Sequence, residues 1–103
     1  MTKSQERAVA QIRRLAERNL LNPETYEFKE WEVKENEYFV SVYVVTGMKG
    51  DEGTFGEVFC RDRAHLFVGK RGGITYPVYK HGRHYNKVFK GYSILQAVCD
   101  QRI

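Results

Sequence analysis

Near the start of the chain apolar side chains fall at Ala8, Val9, Ile12, Leu15, Ala16 and Leu20, a spacing of three and four that draws one stripe along a helix. Arg7, Arg14 and Arg18 gather on the other side. Thr2 and Gln5 precede the stripe at the spacing of a capping box, with Ser4 an alternative cap. Pro23 disfavours a helical Asn22, so the helix is expected to stop around Leu20 or Leu21. Beyond it the period becomes two. In "TYEFKEWEVK", Tyr26 and Phe28 have one parity and Trp31 and Val33 the other, which a bulge near Lys29 and Glu30 would reconcile.

"YFVSVYVVT" is apolar on both faces. That is the pattern of a central strand, covered by the helix through Val40, Val42 and Val44 or through Phe39, Tyr43 and Val45. "TFGEVFC" and "AHLFVGK" read as two more strands or one bent strand, and "ITYPVY" as a fifth. Pro77 has no N–H to give to a ladder, so this last strand belongs at an edge or a bulge. "YSILQAVCDQ" fits a short helix capped by Ser93, with Leu95, Val98 and Cys99 inward. The expected fold is α+β: an N-terminal helix packed on an antiparallel sheet of four or five strands, then a short C-terminal helix, all within one domain over residues 1–103.

Composition narrows the class. The longest nearly apolar run is far too short to span a bilayer, and no leader-like segment opens the chain, so a cytoplasmic protein is expected. Cys60 and Cys99 lack the close spacing of a metal knuckle or redox pair and are expected to be buried and reduced. Glycines at 47, 50, 53 and 56, with Asp51 and Glu52 among them, predict a hairpin loop rather than a phosphate cradle.

Charge changes the picture more. Residues 22–59 carry three Lys or Arg against nine Asp or Glu, whereas residues 60–90 carry eight against Asp62 alone. His65, His81 and His84 all fall in the basic block. Such a segregation bears on partners, and alternation of acidic and basic strands in one sheet would average it away. Between Gly69 and Gly91 there are six Lys and Arg, three Tyr, two His and no acid. Gly69-Lys70-Arg71-Gly72 resembles the G-x-x-G loop with which K-homology domains clamp a nucleic-acid backbone between two helices. Residues 64–68 alternate like a strand, however, so these residues predict a basic hairpin turn with positive-φ glycines.

Lys and Arg release counterions from a phosphate backbone, and exposed Tyr rings stack on unpaired bases. The expected function is therefore non-enzymatic binding of nucleic acid or another acidic partner through residues 61–90, without a cofactor. Lys70, Arg71, Tyr79, Lys80, Arg83, His84, Tyr85, Lys87 and Lys90 are the expected contacts. The same pattern suits a plain edge strand, where cations deter aggregation and alternate tyrosines enter a core.

Two other classes are open. His81 and His84 have the chemistry of a metal-independent RNase, one removing the 2′-hydroxyl proton and the other protonating the leaving oxygen. A metal at this pair would lack carboxylate ligands and meet adjacent positive charge. The chain also suits an inhibitor such as phage and mobile elements direct against host defence proteins, acting by surface occlusion.

Overall fold

The computed structural model describes residues 1–18, 24, 26–50, 62–90 and 94–101. Helix α1 (Lys3–Arg18) is followed by strands β1 (Tyr26–Glu35), β2 (Phe39–Met48), β3 (Asp62–Gly69), β4 (Ile74–Lys80) and β5 (Arg83–Val88), then by helix α2 (Ile94–Gln101). The strands form one antiparallel meander in the order β1-β2-β3-β4-β5. Ala8, Ile12 and Ala16 of α1 and Ile94, Ala97 and Val98 of α2 share a core with Val40, Val42, Val44, Leu66, Val68, Tyr76 and Val78. These strand residues have one parity, so both helices lie on the same face of an α+β fold.

Helix α1 starts as its sequence dictates. Gln5 N–H donates to Thr2 Oγ1 at 3.1 Å and Thr2 N–H donates to Gln5 Oε1 at 2.9 Å, the reciprocal bonds of a capping box. Gln5 is only 1% exposed, and its Nε2 donates to the Val68 carbonyl at 3.3 Å. The Thr2 hydroxyl donates to the Lys70 carbonyl at 2.9 Å. Further along the helix, the Arg13 guanidinium lies 4.3 Å from the centre of the Phe28 ring and 4.9 Å from that of Trp31, fastening the helix to β1.

The expected bulge is present. Phe28 faces Thr46 and Trp31 faces Val44, with the register shift between Phe28 and Glu30, so Phe28, Trp31 and Val33 all pack against the core. The helices cover Val40, Val42 and Val44, which leaves Phe39, Ser41 and Tyr43 on the opposite face. The expected strand at residues 54–60, Cys60 and the helix end at Leu20 or Leu21 lie outside the described residues, as do Ser93 and the side chains of Leu95 and Cys99.

The hairpin at the far side differs from the sequence expectation. Strand β5, not β4, forms the edge. Lys80 pairs with Arg83 across His81 (φ 54°) and Gly82 (φ 76°), a two-residue turn with both central residues left-handed, as in type I′. Every residue of β5 is exposed, so no apolar period announces it.

Pro77 is nevertheless accommodated for the expected reason. The Ile74 carbonyl accepts from Phe89 N–H, so residues 74, 76 and 78 point their backbone groups toward β5 and residues 75, 77 and 79 toward β3. The ladder between β3 and β4 comprises only Phe67↔Thr75 and Val68↔Ile74. The missing donor of Pro77 thus falls where that ladder has ended.

Ile12 is fully buried. Ile12→Asp is expected to cost about 3 kcal/mol or more by burying an unpaired charge. An unchanged melting temperature would reject this packing. Gly72 has φ 89°, and a Cβ built there would lie 3.1 Å from the Ser4 carbonyl oxygen. Gly72→Ala is therefore expected to cost roughly 1–3 kcal/mol in a urea melt, since both the conformation and the space favour glycine.

Candidate functional site

The β4–β5 hairpin carries most of the expected contacts. Residues 74–90 contain four Lys or Arg and no Asp or Glu. Each residue from Tyr79 to Val88 is exposed, with Tyr79 and Tyr85 both 49% accessible. Strand β4 holds the basic turn at Lys70 and Arg71 roughly 20 Å from the turn at Lys80 and Arg83, taking about 3.3 Å per residue. Lys87 and Lys90 return toward the first turn, because Val88 pairs with Thr75 and Phe89 N–H bonds to Ile74.

Pairing also divides the set between two faces. Tyr79 opposes His84, with ring centres 4.9 Å apart, on the face away from the helices. Lys80 with Arg83, Val78 with Tyr85 and Tyr76 with Lys87 have the helix-side parity. His81 occupies the turn itself and His84 the strand, with Arg83 and Tyr85 on the other face from His84. Alternation along β5 thus separates the groups that an RNase centre would bring together.

Among the described residues folding keeps part of the charge segregation, although Lys70 lies near enough to Glu35 to help lower its pKa. Glu27, Glu30, Glu32 and Glu35 lie on β1 and Arg83 and Lys87 on β5, the two edges of the sheet. Four strand spacings of about 4.8 Å put these edges roughly 19 Å apart. Lys29 and Lys34 pair with Glu27 and Glu32 of their own strand, at 2.9 and 3.1 Å. The amino terminus pairs with Glu35, and that bond, more than simple proximity, holds the Glu35 carboxyl below its ordinary pKa.

On the helix-free face the sheet bears a feature absent from the expected set. Thr75, Pro77, Asn86 and Val88 of the hairpin join Phe39 and Phe67 around an open groove of about 640 Å³. Phe39 and Phe67 meet edge to face with ring centres 5.1 Å apart. The parity of Phe39 and Tyr43 is the signal for this face in the sequence, but the contribution of β5 depends on a strand without apolar period.

Beside the groove, Ser41 Oγ and His65 Nε2 share a hydrogen bond of 2.6 Å, in a cleft of about 120 Å³ also lined by Glu32, Lys34 and Tyr43. Burial holds the His65 imidazole below its ordinary pKa, opposed in part by the charge of Glu32. A serine beside a neutral imidazole has the first two parts of a nucleophilic centre. Ser41 is paired with Lys34 on one side and Phe67 on the other, so its backbone serves the ladders rather than an oxyanion hole. The pair ties β2 to β3.

Among the described residues no three His, Cys, Asp or Glu side chains are grouped to hold a metal ion, and no helix is long and apolar enough to cross a membrane. Comparison of the chain with protein-family models, curated proteins and solved structures finds no match.

The lowered pKa of His65 implies a pH dependence. The unfolded imidazole, with an ordinary pKa of 6.5, binds a proton before the folded one does. Stability is therefore expected to fall as the pH drops below 6.5 and to level off below the folded pKa. Thermal melts at about pH 7.5 and about pH 5 should show this loss, and His65→Gln should reduce it. A loss of equal size in the variant would assign the effect to other groups.

Proposed function

We propose that this chain is a non-enzymatic binding protein that engages the phosphate backbone of nucleic acid through its β4–β5 hairpin and the adjoining turn at Lys70 and Arg71. The observation that carries this reading is an exposed edge hairpin with four cations and no acid, set at the opposite sheet edge from the glutamates of β1. Lys80 and Arg83 at the tip and Lys70, Arg71, Lys87 and Lys90 toward the other end meet successive phosphates, displacing their condensed counterions. Tyr79, His84 and Tyr85 add flat surfaces for unpaired bases. The protein works in the cytoplasm as one domain and needs no cofactor.

The RNase reading has less support, because His81, His84 and Arg83 do not face a common cleft. An acidic protein surface would exploit the same cations without any stacking.

A salt titration of binding to single-stranded and duplex DNA and RNA tests the proposal. Affinity is expected to fall steeply with salt, and Lys80→Ala or Arg83→Ala to reduce the slope by about one unit for each phosphate no longer neutralised, alike for different sequences. Tyr79→Ala is expected to weaken single-strand binding by roughly 1–3 kcal/mol for each base no longer stacked, and duplex binding less. No measurable binding at low salt would overturn the nucleic-acid reading. Binding that ignores every substitution would reduce the hairpin to a solvated edge.

A further inference from the structure

The hairpin cations account for a backbone but leave the groove beside them without a role. Its walls are apolar and partly aromatic: Phe39 and Phe67 on one side, Pro77 and Val88 on the other. Gly69 and Gly73 lie along one end, where no side chain fills the space. His84 and Asn86 also line it, and they are the groups on its β5 side with donors and acceptors to spare for a ligand. Val88 is 63% exposed, so the apolar wall meets solvent directly.

The geometry points to unpaired nucleobases as the occupants of this groove, an inference that rests on the hairpin's binding a polyanion. Three properties converge on that occupant. Phe39 and Phe67 are half-buried aromatic rings in the groove wall, and aromatic rings grip bases irrespective of sequence. The Asn86 amide presents a donor and an acceptor side by side, the pairing that an adenine edge complements. The groove also adjoins the β5 edge on one flank and the Lys70–Arg71 turn at one end; Arg83 and Lys87 have the helix-side parity, so they would meet the phosphates of a strand with its bases inward from across that edge. A duplex keeps its bases stacked and cannot offer them to an apolar wall. A second copy fits less well, because a two-fold contact centred on the groove would set two acid-free hairpins against each other.

The test uses the whole chain with two fluorescent oligodeoxynucleotides of equal length and charge, one bearing bases and one abasic, and a base-bearing RNA as a third arm. Wild type is expected to bind the base-bearing strands roughly five-fold or more tighter than the abasic one. Val88→Thr and Asn86→Ala, both at exposed positions and so tolerable to the fold, should bring that ratio toward one while leaving the salt slope unchanged. Lys80→Ala should instead weaken binding to all three strands alike. Equal binding of base-bearing and abasic strands by wild type, with a normal salt slope, would overturn the groove inference and the stacking on Tyr79 and Tyr85, and leave only the phosphate contacts of the hairpin standing. A preference for bases that neither groove substitution lowers would also overturn it. Sedimentation of wild type as a dimer that Val88→Thr dissociates would assign the groove to a second copy. If no strand binds at low salt, the hairpin reading fails and this inference fails with it.

Discussion

A single buried amide organises the join between the first helix and the sheet. Gln5 closes the helix cap with one end of its side chain and reaches the Val68 carbonyl with the other. A buried polar group is tolerated only when its bonds are made, so the start of α1 must sit at the end of β3 and nowhere else along it. The Thr2 hydroxyl on the Lys70 carbonyl and the close approach of Ser4 to Gly72 extend the same join to the β3–β4 turn. From there the apolar stripe of α1 runs back over the sheet, and Arg13 seals its flank against Phe28 and Trp31. The direction of the helix, the position of the turn and the placement of Lys70 and Arg71 are parts of one arrangement.

Much of this can be read from side-chain spacing because the interactions are local or periodic. The Thr2–Gln5 box lies within one helical turn, and the parity break between Phe28 and Trp31 marks the bulge directly. The face that Val40, Val42 and Val44 present is one of two open choices, since Phe39, Tyr43 and Val45 are equally apolar. Which face the helices cover depends on long-range packing, to which spacing along one strand is blind.

The hairpin is legible as chemistry and not as structure. Its cations and tyrosines stand out in the composition, but β5 is exposed throughout and, with Val88 its one aliphatic residue, lacks the apolar period by which strands are recognised. His81 and Gly82 define its turn through left-handed geometry, a conformation glycine announces and histidine conceals. Without β5 there is no groove, because Asn86 and Val88 become its wall only when paired with Pro77 and Thr75. Spacing alone also leaves open whether the acidic and basic blocks cancel. Among the described residues a five-strand meander keeps the glutamates of β1 and Arg83 and Lys87 of β5 at opposite edges, because chain order and sheet order coincide.

The two-pair ladder between β3 and β4 gives the molecule an uneven mechanical character. Strands β2 and β3 share eight paired positions, whereas β4 is held to β3 by two and then by the packing of Tyr76 and Val78 in the core. Opening the hairpin away from β3 therefore breaks few backbone bonds, while opening β2 from β3 breaks a full ladder. Opening the hairpin would still uncover Ile74, Tyr76, Val78 and Phe89, so burial and not the ladder sets how firmly it is held. The hairpin is thus joined to the rest of the sheet through its buried side chains more than through its backbone.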